Sequence, residues 1–198
     1  FSMAAAALFL PFLPMKPVQI LLNNILYDLS EAAVPFDAVD AAELRHPHQL
    51  DITLVRDFMW AIGPVSSLFD FLTFWLLLQL FNAHEAMFQT GWFIESLCTQ
   101  VLVIFVIRTR GNPLKSRPHP WLVLAALGVL TLAFALPYCA MGRWFGLTPL
   151  PASFYGVLVV LVPAYLLTVA LIKQRFFHHR HRHRQRFGQR FGQRFGRR

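Results

Sequence analysis

Charge is scarce in this chain. Aspartate, glutamate, lysine and arginine make up 14% of its 198 residues, against about 25% in an ordinary soluble domain. The shortfall is concentrated in long apolar runs. Hydrophobic residues reach 56% and mean hydropathy is +0.49, which excludes an ordinary soluble globule and points to lipid as the surrounding solvent. Cysteine is nearly missing as well. Only Cys98 and Cys139 occur, both in apolar stretches, which excludes a disulfide framework or a cysteine zinc site and reads as two small buried thiols. No basic segment precedes the apolar opening FSMAAAALFLPFLPM, so it does not read as a secretory signal. That opening is expected to be the second half of a spanning helix, and the chain a fragment of a longer one.

What is present is a series of apolar segments. A spanning helix needs about 20 residues, within a range of about 17–25. Segments 18–34, 59–81, 91–107, 121–140 and 152–172 qualify, and the stub at 1–13 makes a sixth. Prolines bound the early ones: Pro11, Pro14 and Pro17 close the stub and Pro35 ends the first full span. Pro137 and Pro163 are expected to kink the last two, as neighbouring helices permit. Short links make neighbours antiparallel. The expected fold class is therefore an all-α integral membrane protein, an antiparallel transmembrane helix bundle with a partial first helix and five full spans.

Basic residues then orient the bundle. Arg45 and Arg56 lie in the link 35–58; Arg108, Arg110, Lys115 and Arg117 lie in 108–120; ten more follow residue 172. The opposite side holds only Lys16 and Arg143, so the count is sixteen against two and the C-terminus is expected in the cytoplasm. Trp92, Trp121 and Trp144 fall near span ends, where interfacial aromatics sit. The net charge of +8 is thus orientation plus tail, and it does not point to nucleic acid as a partner.

Four carboxylates lie within the stated segments, where an ionisable group costs at least about 2.5–3.5 kcal/mol on insertion scales. They are Asp28, Asp70 and Glu95, with Glu31 near the end of the first full span. Asn24 stands four residues before Asp28 and Glu31 three after, so the three share one helix face. An amide oxygen with carboxylates suits magnesium or calcium, and magnesium needs only one or two carboxylates because it keeps several waters. The same face also reads as a polar seam to neighbouring helices with no ion. Asp70 has Ser66, Ser67 and Thr73 on its side and is expected to bond a neighbouring helix at a depth near that of Asp28. Glu95 is expected about 6 Å inside its span. Asn23 and Gln100 complete the polar set, Gln100 as a helix-to-helix contact.

Three stretches, FLPFLPMKPVQILLNNILYDLSEAAVPFD, GPVSSLFDFLTF and FQTGWFIESLCTQVLVIFVIRT, occur in this order. Together they resemble the C-terminal membrane domain of P-type cation-transporting ATPases, and the bacterial magnesium-transporting branch above all. NxxYD in this setting looks like that branch; the similar calcium pumps usually show NxxTD. The resemblance covers about residues 1–177 and implies the end of the fifth membrane helix followed by the sixth through tenth, in a bacterial inner membrane. It implies Asn24 and Asp28 as sixth-helix ligands of the transported magnesium. A further fifth-helix asparagine and a fourth-helix carboxylate would fall before Phe1. The 198 residues contain neither a DKTGT phosphorylation motif nor a TGE motif. ATP would therefore be used only through domains outside this chain, and the implied partner is the remaining N-terminal portion of the pump.

Residues 178–198 read HHRHRHRQRFGQRFGQRFGRR, with QRFG repeated three times from Gln185. Low complexity and dense charge make this an expected disordered tail, attracted to anionic lipids at the cytoplasmic face. His178, His179, His181 and His183 stand among arginines whose charge opposes metal binding. Two other functions remain open at this point. One is a stand-alone membrane protein derived from such a pump, binding or regulatory, without ATPase activity; the other is an unrelated channel or carrier with a midplane polar site.

Overall fold

The computed structural model describes residues 2–37, 52–108 and 118–195, with side chains over 2–37, 56–108 and 118–175. Seven α-helices follow in chain order: α1 (Ser2–Phe9), α2 (Pro17–Glu31), α3 (Ile52–Trp75), α4 (Glu85–Ile107), α5 (Pro120–Ala135), α6 (Ala140–Trp144) and α7 (Ala152–Phe195). No strand occurs among the described residues.

Local chemistry sets many of the boundaries. Pro17 opens α2 at a position where no amide donor is needed, and the Lys16 amide is met by Gln19 Oε1 at 3.0 Å. Pro35 turns the chain out through a 3₁₀ segment, Val34–Phe36. Pro120 opens α5, and His119 before it accepts from the Trp121 amide at 3.3 Å. Pro137 ends α5 in a second 3₁₀ segment, Leu136–Tyr138, rather than kinking a continuous helix to residue 140. Pro64 and Pro163 stay inside α3 and α7. The end of α3 widens into a π turn, Leu76–Leu80.

Among the described residues, four helical stretches are long and apolar enough to cross a membrane: Arg56–Leu80, Glu85–Ile107, Pro120–Tyr138 and Ala152–Arg175. The first expected full span, 18–34, is the shorter α2. Its 15 residues rise only about 22 Å, because prolines close both ends and six polar side chains interrupt its apolar run. Helical backbone also continues to Phe195 through the QRFG repeats, where sequence composition leads one to expect disorder. Arginine and glutamine are good helix formers, and the repeats carry no proline.

α4 is the axis of the bundle. It packs against α2, α3, α5 and α7, and Phe88, Phe93, Ile94, Leu97 and Val101 on it are fully buried. The π turn reaches it closely: a Cβ on Gly91 would stand 2.7 Å from Leu77 Cδ2, so glycine permits this approach. Phe74 packs edge-on against Trp92 and lies beside Phe88, which takes Phe12 at its edge. Leu124, Leu127, Val159, Val160, Leu167 and Leu171 form an apolar exterior instead, as a lipid-facing surface requires.

Polar contacts gather at the two ends of the bundle. At one end, Asp37 after α2 accepts from Arg108 at the end of α4 and from the His119 amide, 2.8 Å away, before α5. At the same end Lys173 of α7, 2% exposed, donates to the Val106 carbonyl of α4 at 2.6 Å. At the other end Gln19 donates to Phe145 O, Gln89 to Leu13 O, and the Thr148 amide to Thr90 Oγ1. The ends of α2 and α4 thus lie together with the start of α5 and with Lys173 of α7, which makes α5 antiparallel to α4 and α7.

Two residues differ from expectation. Cys98 is buried but Cys139 is exposed, because the chain leaves the bundle at the 3₁₀ segment before it. Trp92 is not interfacial: α4 begins at Glu85, six residues ahead of the expected span, which carries Trp92 into the core.

Candidate functional site

α2 divides its polar residues between two faces. Gln19, Asn23, Leu26 and Ser30 recur at helical spacing and are buried against α4 and α5. Asn24, Asp28 and Glu31 are exposed. The apolar Leu21, Ile25 and Leu29 beside them are more than half exposed too. Asn24 and Asp28 stand one turn apart, so their oxygens face the same side of the helix. A hard divalent cation would find there one amide oxygen and one carboxylate, a ligand pair that leaves most of the coordination shell to other groups.

On the buried face, Asn23 Nδ2 donates to Gln100 Oε1 of α4 at 3.2 Å, and Gln100 Nε2 donates to Ser96 Oγ at 2.9 Å. Asn23 Oδ1 is buried and meets no donor among the described residues. Tyr27 reaches Glu31 with its hydroxyl, and Ser30 returns its own to the Tyr27 carbonyl at 2.7 Å.

Asp70 belongs to a second cluster. Its Oδ2 accepts from Ser2 Oγ of α1 at 2.5 Å and its Oδ1 from Trp92 Nε1 of α4 at 3.2 Å. Asp70 meets α4 at Trp92, whereas Asn23, five residues before Asp28, meets it eight residues further on at Gln100, so the two carboxylates are not brought to one level. Glu95 is deeper than expected because α4 starts six residues ahead of the expected span. It lies ten residues into α4, about 15 Å from its start, and is 1% exposed. Its Oε2 meets no hydrogen-bond donor among the described residues.

The seven polar residues singled out from the sequence therefore separate into an exposed trio (Asn24, Asp28, Glu31), a bonded pair (Asn23, Gln100) and two acids at the α3–α4 interface, the half-buried Asp70 and the buried Glu95. Sequence reasoning missed Ser2, Gln19 and Trp92 as polar partners. Gln19 carried a signal, since it sits four residues before Asn23 on the same face; Ser2 and Trp92 carried none.

Fold and polar placement define an all-helical, multi-pass membrane protein with carboxylates inside its bundle. The family model described as "Cation transporting ATPase, C-terminus" matches residues 12–175, and the chain belongs to that family. It is 37% identical over 186 residues to the Magnesium-transporting ATPase, P-type 1 of Escherichia coli (strain K12), covering 91% of this chain and 21% of that protein. It is 38% identical over 185 residues to a protein of the same description from Salmonella typhimurium (strain LT2), again covering 91% of this chain and 20% of the relative. The chain thus spans about a fifth of the length of these relatives.

Proposed function

We propose that this chain is the membrane-embedded C-terminal part of an ATP-driven magnesium transporter, and that α2 supplies Asn24 and Asp28 as ligands of the transported ion. ATP hydrolysis is done by domains outside these 198 residues, which together form the partner of this bundle. The protein works as a translocase in a bacterial inner membrane, with residues 35–58, 108–120 and the tail on the cytoplasmic side. Arginines of the tail then gain about 1 kcal/mol each from anionic lipid.

The observation that carries the reading is the split on α2. Asn23 is held inside the bundle, while Asn24 and Asp28 are left outside it on a side no described helix covers. A carboxylate facing hydrocarbon costs at least about 2.5–3.5 kcal/mol. A face of this kind suits further helices and a cation between them far better than it suits lipid. Relatives whose printed description is a magnesium-transporting ATPase agree with that use.

The test is a chimera. Residues 12–175 replace the matching segment of the Escherichia coli relative, and magnesium uptake is measured in cells that depend on it. Uptake well above that of an empty vector is expected. A chimera that inserts in the membrane yet transports no magnesium overturns the assignment.

A further inference from the structure

Asp70 and Glu95 play no part in the α2 face, yet both lie mid-helix in the bundle, Asp70 half-buried and Glu95 fully buried. We propose that they form a proton-binding pair between α3 and α4, with the proton on Glu95, at a site separate from Asn24 and Asp28.

The two carboxylates are not equivalent. Each oxygen of Asp70 accepts from a donor, Ser2 on one side and the Trp92 indole on the other. That is the environment of an ionised, acceptor-only carboxylate. Glu95 is 1% exposed and its Oε2 has no donor among the described residues. Trp92, which bonds Asp70, stands one turn before Glu95 on the same face of α4, so both acids belong to one part of the α3–α4 interface, and Tyr165 of α7 packs edge-on against Phe69 beside Asp70. Cys98, one turn along α4, is the remaining titratable neighbour. No lysine, arginine or histidine side chain is paired with either carboxylate among the described residues.

An ionised Glu95 would therefore place a second negative charge beside Asp70 with one oxygen unsolvated. Burial of an uncompensated charge is among the most costly arrangements in an apolar interior, and a like charge adds to it. A proton on Glu95 removes that charge and turns the oxygen that lacks a donor into a donor itself. A metal ion fits less well. Among the described residues no group of three or more His, Cys, Asp or Glu side chains gathers anywhere, and a proton needs only one basic oxygen and no coordination shell.

The experiment is infrared spectroscopy of the 198-residue chain reconstituted in lipid nanodiscs at neutral pH. A carbonyl stretch of a protonated carboxylic acid is expected, shifting on deuterium exchange, lost in Glu95→Gln and retained in Asp70→Asn. Loss of the band in Asp70→Asn alone, or no such band at all, overturns the proposal. Should Glu95→Gln fail to fold, carbon-13 labelling of the unaltered chain gives the same decision. Labelled glutamate must move the band; a band that moves only with labelled aspartate places the proton on Asp70 and rejects the assignment. The readout is independent of magnesium transport, so failure here leaves the reading of α2 standing and failure there leaves this one.

Discussion

The Asn23 amide donates to Gln100 across the α2–α4 interface at 3.2 Å, and this bond fixes which way α2 is turned. With Asn23 held inward, its neighbour Asn24 and the carboxylate of Asp28 are carried outward. Interhelical side-chain bonds within membranes contribute about 0.6 kcal/mol on average and about 1.7 kcal/mol at most. A double-mutant cycle of Asn23→Leu and Gln100→Leu, read by unfolding in mixed micelles, is expected to give a coupling in that range. Strictly additive effects would show that the bond does not set the register.

Asp37 and Arg108 make a different kind of contact. Their side chains are 10% and 5% exposed, whereas those of the Arg56–Asp57 pair are 41% and 65% exposed on the aspartate and arginine. Truncating one partner of a buried pair costs on the order of 3–5 kcal/mol, while an exposed pair contributes about 0–1 kcal/mol. Arg108→Ala should therefore lower the melting temperature markedly and Arg56→Ala hardly at all. The His119 amide remains on Asp37 in Arg108→Ala, which places the loss at the lower end of that range. Equal melting temperatures for the two variants would remove the clamp from the account of how α2, α4 and α5 are joined.

Glycines give a contrast of sign. A Cβ at Gly142 would fall 1.9 Å from the Leu136 carbonyl oxygen, a backbone atom that cannot swing aside, whereas Gly128 inside α5 has nothing within 4 Å. Gly142→Ala is expected to destabilise by about 1–3 kcal/mol, the range for overpacking. Gly128→Ala is expected to stabilise by about 0.5–1 kcal/mol through helix propensity. Thermal unfolding in one detergent checks both. A stable Gly142→Ala would mean that the turn after α5 is not held as close as described.

The all-helical bundle, the spans at α3, α4, α5 and α7 and the family were legible in the sequence, because apolar run length and proline position are local signals. The starts of α3 and α4 were not. Polar residues such as Glu85 and Gln89 lowered the apparent apolar run, yet Gln89 is fully buried with Leu13 and Glu85 as its acceptors, so the helix extends through them. That displacement alone moved Trp92 from the interface to the core and Glu95 from near the span end to mid-helix. In the candidate site, the shared face of Asn24, Asp28 and Glu31 followed from spacing. The opposite burial of Asn23 did not, because two adjacent asparagines offer no pattern that says which one packs. Lys173 read only as an orienting charge, since its bond to Val106 joins positions 67 residues apart.

Orientation is open to direct labelling. Single cysteines placed in 108–120 and after residue 172 should be protected from an impermeant reagent outside intact cells, and one placed in 82–90 should react. The bundle brings residues 37, 108 and 119 to one end, so cysteines at 35–37 should behave like those in 108–120. Reaction of the 108–120 cysteines would invert the whole bundle, and with it the side from which Asp28 is reached.

Asp28 carries the most direct test of transport. In a complete pump that holds this bundle, Asp28→Asn should strongly reduce magnesium-dependent phosphorylation and transport while leaving expression near normal. The substitution keeps side-chain size and one oxygen but removes the charge that balances a dication giving up part of its water. Because Asp28 is exposed in this bundle and outside its packed core, the loss should come without a fall in thermal stability of the chain itself. Asn24→Ala should weaken the same steps less, since it removes a neutral ligand that water can replace. Asn23→Ala gives the control in the opposite sense. It breaks the bond to Gln100, so its effect should fall on stability first. Unchanged magnesium dependence in Asp28→Asn would reduce this carboxylate to a contact between helices. The transported ion would then have to be sought on other residues.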